Sequence, residues 1–283
     1  MRKGIVAAVL SIGLAVAVTG CGGDQRGGLV VGGTPPPRPY AGPLDLPYEE
    51  HADDGDGDAE DSGAAGRAVE CDGEIRGGAA GDAWSRRDGG STPEEGLDAY
   101  FDIYQPDLPG QGYRIERREG DRVLFSYDVE GRTKVAVVVA KDQPRRPGWG
   151  PETSAFCDLS EFPASYTEAR GDEIWTDRDG SRVPTTEVIS FPGAEHCDWQ
   201  SAHVLSLGPK GRMYVRDPRG IFSSDLLTAA YDADVRMPAD ARDTGYHYHD
   251  WRLWLTPDRS TAYVRTSAGV EAWPAARSLF GCR

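Results

Sequence analysis

Hydrophobic positions divide the chain into three regions of different pattern. Residues 5–18 form a nearly continuous apolar run directly after Arg2 and Lys3. Two basic residues followed by about 14 mostly apolar ones are typical of a secretory signal peptide. The run is shorter than the roughly 20 residues that a helix needs to span a bilayer. We therefore expect residues 1–20 to be a signal peptide.

The second region, residues 21–70, is poor in apolar positions. It contains three consecutive prolines at 35–37, many glycines and an acidic run from Glu49 to Asp61. A segment of this composition buries too little apolar surface to offset the entropy that it would lose on ordering. The pattern predicts a disordered tether that lifts a folded head off a membrane.

Residues 71–163 show the patterns of a small α+β unit. The motif Thr92-Pro93-Glu94 predicts a helix start, because it combines a capping residue, a proline at the first helical position and an acid at the positive end of the helix dipole. Apolar positions then recur at helical spacing as far as Tyr104. Strand-like runs follow at 113–117, 122–130 and 133–141. Residues 135–140 are apolar throughout, which predicts a strand covered on both faces.

Residues 164–283 predict a second unit of the same kind, a helix with an antiparallel meander. The spacing of Trp199, His203 and Leu207 predicts a helix over 197–207. Turn residues at 257–258 and 268–269 predict that the last three strands form a meander. Strand-like runs lie at 174–176, 183–190, 212–216, 251–256, 261–266 and 270–273. The expected fold class is therefore α+β, with two small helix-plus-meander units after the disordered tether.

Four cysteines lie in these two units. An even number of cysteines in an exported chain favours two disulfides, and three pairings are possible. We favour Cys71–Cys157 with Cys197–Cys282, because each bond then closes a loop of about 85 residues inside one unit. Zinc binding is the alternative, but the chain has no C-x-x-C and its cysteine spacings differ from those of zinc fingers and zinc ribbons.

The charge of the chain argues against one class of partner. Removing residues 1–20 takes away two of the 31 basic residues and none of the 46 acidic ones, which changes the net charge from −15 to −17. Nucleic-acid binding depends on Lys and Arg side chains that neutralise phosphates. We therefore expect no nucleic-acid partner.

The residues just before Cys21 have a characteristic order, Val18-Thr19-Gly20. They resemble the lipobox of bacterial lipoproteins, in which a branched aliphatic residue, a small residue and Gly or Ala precede an obligatory cysteine. The resemblance implies cleavage before Cys21, a lipid on its thiol and a position on the outer face of the cell membrane. Two acyl chains anchor a protein stably, whereas one chain binds marginally. Ordinary cleavage after residues 15–17 is the alternative.

Three neighbouring residues are a candidate for metal chemistry. On a strand, His247 and His249 would share one face and could bind a metal together with Asp250. His196 or His203 could supply a third protein ligand if the fold brings it there. A polar loop is the alternative, and the turn-forming residues just upstream favour the loop.

The second half of the chain also contains several longer motifs. They are IWTDRDGSRVPT at 174–185, EHCDWQSAHVLSL at 195–207, YVRDP at 214–218, MPADARDTGY at 237–246, LWLTP at 253–257 and VEAWPAARSLFGC at 270–282. This half is similar to a group of secreted or lipoprotein-class actinobacterial proteins of unassigned function. The resemblance implies an exported protein and the pairing of Cys197 with Cys282, and it implies no catalytic residue.

The sequence contains no motif that specifies a reaction. It lacks a Walker A loop, an H-E-x-x-H motif and a G-x-S-x-G motif, and we expect no cofactor. The expected function is a non-enzymatic binding or interaction module of the cell envelope, held by lipid on Cys21. Its partner would be an envelope protein or a glycan. A cell-surface hydrolase with an unrecognised site is the alternative.

Overall fold

The computed structural model describes residues 38–48, 61–79, 88–103, 108–223 and 225–278. The predicted signal peptide, Cys21 and Cys282 lie outside these residues. Within them, no helix is both long enough and apolar enough to cross a membrane. The described chain is rich in sheet, with few helices and three antiparallel sheets.

The first unit is built on a five-stranded antiparallel sheet. Its strands are β1 (Ile75–Ala79), β2 (Arg114–Glu119), β3 (Arg122–Val129), β4 (Arg132–Gln143) and β5 (Arg146–Cys157). The spatial order is β1-β5-β4-β3-β2. The three predicted strands are confirmed as β2, β3 and β4. Strands β1 and β5 were not predicted, because their glycines and prolines are unfavourable in strands. They are held in the sheet by pairing, since β1 pairs with β5 and β5 pairs with β4.

A helix covers each face of this sheet. The helix α1 (Gly63–Ala68) packs on one face, and α2 (Pro93–Ile103) packs on the other. Alternate residues of β4 enter the two cores, so that Ala136 and Val138 face α1 while Val135 and Val137 face α2. The prediction of a strand covered on both faces is therefore confirmed.

The start of α2 follows directly from its sequence. The hydroxyl of Thr92 accepts the backbone N–H of Glu95 at 3.2 Å. The Glu95 carboxylate in turn accepts the N–H and the hydroxyl of Ser91 at 2.6 and 2.7 Å. Such bonds satisfy amide groups that the first turn of a helix leaves without partners. The predicted helix start is confirmed.

Part of the predicted tether is folded. Leu44 is 2% exposed, and the alanines of α1 are buried in the same core against the sheet. The prediction of disorder across residues 21–70 is therefore wrong for 38–48 and 61–70. The sequence of α1 is GAAGRA, and its small residues bring the helix backbone close to the sheet. A low content of large apolar residues therefore did not exclude burial here.

The second unit begins with the short helix α3 (Ala164–Arg170) and continues as two four-stranded antiparallel sheets. The first sheet contains, in chain order, β6 (Glu173–Ile174), β7 (Val188–Pro192), β8 (His203–Leu207) and β9 (Arg212–Arg216). The second contains, in chain order, β10 (Arg242–Tyr248), β11 (Trp251–Leu255), β12 (Thr261–Arg265) and β13 (Val270–Pro274). The predicted final meander is confirmed as the last three strands.

The two sheets of the second unit meet at both edges. Thr176, just after β6, pairs with His247 of β10, and Tyr214 of β9 pairs with Ala275, just after β13. These pairs close the two meanders around one core, in which Trp175 and Trp273 are fully buried. Closure of this kind leaves few unpaired strand edges, and the unit resembles a small barrel.

The predicted helix over residues 197–207 is wrong. The structure has one turn of 3-10 helix at Glu195–Cys197, which ends at Asp198 with a φ of +59°. Residues 199–202 form turns, and residues 203–207 form β8, which pairs with β7 on one side and with β9 on the other. Pairing along both sides satisfies the backbone of β8, and this outweighs the helical spacing of a few apolar side chains.

One disulfide joins Cys71 and Cys157, whose Cα atoms lie 5.2 Å apart. It closes the first unit as predicted. It also excludes both crossed pairings, since each of them needs one of these two cysteines for another partner. Cys197 is disulfide-bonded as well. Because Cys282 lies outside the described residues, its pairing with Cys197 stays a prediction.

Candidate functional site

An open cleft of about 800 Å³ lies where the two units meet. The turn between β3 and β4 lines it from the first unit, and Asp158 and residues 160–164 line it where the chain passes between the units. Arg182 and Pro184 line it from the second unit. Pockets for small ligands typically have volumes of roughly 300–1,000 Å³. The cleft is therefore large enough to hold a ligand.

Asp158 fixes the junction beside this cleft. The residue is 2% exposed, and its carboxylate accepts the backbone N–H of Ser160 at 2.8 Å. It also accepts the backbone N–H of Thr185 at 3.0 Å and the Thr185 hydroxyl at 2.5 Å. Hydrogen bonds to a charged acceptor are stronger than neutral ones. They connect the end of β5 to the loop before β7 and hold the walls of the cleft in place.

The wall from the first unit carries paired charges. The side chain of Lys134 is 5% exposed, and its Nζ lies 2.5 Å from Glu161 Oε2. The same nitrogen donates to the Glu70 carbonyl oxygen at 2.8 Å. Arg132 Nη1 lies 2.5 Å from Asp72 Oδ2. These cations are therefore already neutralised by carboxylates of the protein.

Aromatic side chains lie beside these ion pairs. The rings of Tyr127 and Phe162, which both line the cleft, stack with centroids 6.4 Å apart and 15° between their planes. Phe162 also packs against Tyr166 at 5.3 Å. Phe162 is 2% exposed, so its ring supports the cleft without offering an open face. Burial raises the pKa of Tyr127, which keeps its phenol neutral at physiological pH.

Arg182 reaches the cleft from the second unit. Its Nε donates to the Ser160 carbonyl oxygen at 3.0 Å. Its Nη2 donates to the Thr167 hydroxyl at 3.0 Å and to the Leu159 carbonyl oxygen at 3.5 Å. Burial lowers the pKa of this guanidinium, although an arginine remains charged in a protein. The bonds hold one edge of the guanidinium in a fixed orientation.

A second cluster of polar side chains lies inside one end of the barrel. Trp175 Nε1 donates to Ser190 Oγ at 2.9 Å, and Ser190 Oγ donates to Glu173 Oε2 at 2.5 Å. His203 Nε2 lies 3.2 Å from Glu173 Oε1. In a serine hydrolase the histidine contacts the nucleophilic hydroxyl and the carboxylate lies behind it. Here the carboxylate lies between the two groups, so His203 is not placed to take the Ser190 proton.

An ion pair completes this end of the barrel. Arg216 contacts both oxygens of Glu271, at 2.8 and 3.1 Å, and Trp273 Nε1 donates to Glu271 Oε2 at 2.9 Å. The Trp251 ring packs against both groups, 5.4 Å from the Trp273 ring and 5.5 Å from the His203 ring. These polar side chains are therefore part of a packed core in which each group has a hydrogen-bond partner except His203 Nδ1, which is buried without one in the described chain.

The structure does not assemble the predicted metal ligands. His247 lies on β10, whereas His249 lies in the following turn with a φ of +50°, so the two histidines do not share a strand face. The alternative prediction of a loop is correct for His249 and Asp250, which lie in a turn, but it is wrong for His247, which lies in a strand. Among the described residues, one set of three potential ligands has atoms within 4.8 Å of one another: Cys71, Cys157 and Glu161. Its two cysteines are bonded to each other, so this set does not form a metal site.

The sequence analysis did not single out Asp158 or Arg182. Asp158 precedes Ser160 by two residues, a spacing at which an aspartate often accepts a nearby backbone N–H, and this is the local pattern that could have indicated it. Arg182 has no comparable pattern, because its hydrogen-bond partners lie 15 to 23 residues earlier in the chain.

Comparison with known proteins gives this chain no family. No family model, no curated protein and no solved structure matches it.

Proposed function

We propose that this protein is a lipid-anchored, extracytoplasmic and non-enzymatic binding module of the cell envelope, and that its ligand site is the cleft at the junction. The observation that carries the proposal is an open cleft of about 800 Å³ whose walls are held by buried hydrogen bonds and ion pairs. A preformed site loses less conformational entropy on binding than a flexible one. The partner is an envelope protein or a glycan.

The anchor in this proposal is lipid on Cys21. The apolar run at 5–18 and the lipobox-like residues at 18–20 support it. The Cys71–Cys157 disulfide also fits an oxidising compartment outside the cytoplasm, where such bonds persist.

Two observations favour binding over hydrolysis. The cluster of Ser190, Glu173 and His203 places the carboxylate between the hydroxyl and the imidazole, and Ser190 is fully buried. The residues that line the cleft in the described part of the chain include several carboxylates and cations but no histidine. Four of the five carboxylates that line the cleft already contact groups of the protein. Among the described residues this leaves Glu130 without a second free carboxylate to complete the pair that a glycosidase uses.

The test compares two substitutions on the same helix. Ala164 and Ala169 are both exposed on α3, but Ala164 lines the cleft and Ala169 does not. Ala164→Trp adds an indole ring at the cleft, and Ala169→Trp adds the same ring elsewhere on the surface. The mature chain and both variants are immobilised and exposed to solubilised envelope extract, and the bound material is identified by mass spectrometry.

Ala164→Trp should lose the partner that the unchanged chain captures, and Ala169→Trp should retain it. Thermal unfolding of both variants checks that each is folded. Equal capture by all three proteins would contradict the assignment of the ligand site to the cleft.

A further inference from the structure

One cation of the cleft has no carboxylate partner. Arg132 and Lys134 each lie 2.5 Å from an acid. Arg182 donates three hydrogen bonds, all to neutral oxygen atoms, and forms no ion pair within the described part of the chain. A partly buried charge is unfavourable unless it is compensated. The carboxylates of Glu168 and Asp158 act on Arg182 from beyond ion-pair distance, and a bound anion would add a negative charge in direct contact with it.

None of the acids that line the cleft forms an ion pair with Arg182 within the described residues. Four of the five acids that line it already have hydrogen-bond or ion-pair partners: Asp72, Asp128, Asp158 and Glu161. The fifth, Glu130, is exposed in the turn between β3 and β4, and it has no hydrogen bond or ion pair within the described residues. Within the described residues, the cleft therefore presents one cation without an ion pair, Arg182, and one carboxylate without a hydrogen-bond or ion-pair partner, Glu130.

The guanidinium of Arg182 is prepared to bind an anion. Its Nε and Nη2 are held by protein oxygens, and Nη1 makes no hydrogen bond within the described chain. An atom that is buried and has no hydrogen-bond partner would be a buried unsatisfied atom, and Nη1 is not one of these. Nη1 is therefore accessible to solvent. Guanidinium N–H groups form directional, charge-assisted hydrogen bonds to carboxylates, and a fixed guanidinium loses little freedom when it does so.

We propose that the cleft binds the free carboxylate of a peptide, which Arg182 receives, while Glu130 accepts an ammonium or amide N–H of the same ligand. This inference rests on the proposed function, because it assigns a ligand class to the same cleft. A peptide fits better than an acidic sugar. Phe162 is buried, and the half-buried ring of Tyr127 packs against Phe162 and Tyr113, so neither ring offers a fully open face for a sugar. Exposed Pro163 and half-buried Val129 offer small apolar contacts for a peptide side chain.

The experiment titrates the full mature chain with N-acetyl-trialanine and, separately, with the C-terminal amide of the same peptide. The two probes differ in their terminal charge and little else. Calorimetry at low salt should show that the acid binds about tenfold more tightly or better, as expected for one charge-assisted hydrogen bond. Added salt should reduce this preference.

Three variants locate the effect. Arg182→Gln removes the charge and should abolish the preference for the acid. Arg178→Gln removes the same charge from an exposed position outside the cleft and should leave the preference unchanged. Glu130→Gln weakens the acceptor for the amide N–H groups that both probes share, so it should lower the affinity for both probes and leave the preference for the acid in place. If Arg182→Gln does not fold, two measurements on the unchanged chain still test the proposal. They are its preference for the acid over the amide and the change in the nitrogen NMR shift of the Arg182 side chain during titration with the acid.

Equal binding of acid and amide by the unchanged chain would overturn the carboxylate assignment. Tighter binding of trigalacturonate than of the peptide acid would overturn the choice of a peptide. If Ala164→Trp loses its envelope partner while acid and amide bind equally, the cleft is still the ligand site, and only the assignment of a peptide carboxylate as its ligand fails. If Ala164→Trp keeps its partner, the assignment of the ligand site to the cleft fails as well.

Discussion

Removal of Arg216 should destabilise the barrel strongly at neutral pH. The Glu271 side chain is 9% exposed, and Arg216 contacts both of its oxygens while keeping 27% of its own side-chain surface exposed. In Arg216→Ala, the carboxylate would retain the hydrogen bonds from Trp273 and Tyr231 but lose its counter-charge. The substitution therefore leaves a buried negative charge that is no longer neutralised.

The expected cost follows from this geometry. Breaking a fully buried ion pair from one side costs about 3–5 kcal/mol, because the remaining charge is left unpaired. Arg216 is partly exposed, so water replaces some of its effect on Glu271. We therefore expect Arg216→Ala to lower the free energy of unfolding by about 3 kcal/mol at pH 7, at the lower end of that range.

The pH dependence of the free energy of unfolding tests whether the unpaired charge of Glu271 causes the expected loss in Arg216→Ala. Burial alone would raise the pKa of Glu271, but the hydrogen bonds from Arg216 and Trp273 lower it below its usual value. In the unchanged protein, Glu271 therefore stabilises the fold above the usual glutamate pKa of about 4.3, and this contribution is lost as the pH falls through the folded pKa. In Arg216→Ala, burial dominates and raises the pKa of Glu271. The deficit of the variant should then shrink as the pH falls and Glu271 becomes neutral.

Urea unfolding followed by tryptophan fluorescence measures both effects, because Trp251 and Trp273 pack beside the pair. The double variant Arg216→Met with Glu271→Leu removes both charges, and it should recover much of the loss, since no buried charge is left unpaired. A loss below about 0.5 kcal/mol for Arg216→Ala, a range typical of exposed ion pairs, would refute the reasoning. A deficit that grows toward acid pH would also refute it.

Three further predictions concern other parts of the molecule. Serine at both Cys71 and Cys157 should lower the free energy of unfolding by up to about 4.5 kcal/mol, because the bond spans a sequence separation of 86 residues; equal urea midpoints for parent and variant would contradict this. Gly96→Ala should destabilise, although alanine usually stabilises a helix interior by about 1 kcal/mol, because its Cβ would lie 2.6 Å from Val139 Cγ1. A more stable Gly96→Ala in the same urea assay would show that α2 does not pack this closely. Cys21→Ser should leave the precursor uncleaved at that site and stop fatty-acid labelling in the native host, and labelling of the variant would disprove the anchor.

Local patterns determined a substantial part of the first unit. The capping residues at 91–95 fix the start of α2, because their hydrogen bonds connect residues within four positions of one another. The continuous apolar run at 135–140 indicated a strand buried on both faces, since any exposed face would have required polar residues at alternate positions. The number of cysteines indicated disulfides, and loop closure within one unit favoured the Cys71–Cys157 bond that the structure contains.

The tertiary structure decided the elements that depend on distant partners. Residues 203–207 form a strand because β7 and β9 pair with both of their sides, although the local spacing favoured a helix. The small residues of α1 are buried because strands β3, β4 and β5, which lie more than fifty residues later in the chain, cover them. Asp158 contacts Thr185 across 27 residues, and Arg216 contacts Glu271 across 55. No local pattern encodes such contacts, because they form when the chain closes long loops and buries the polar groups that the contacts must then satisfy.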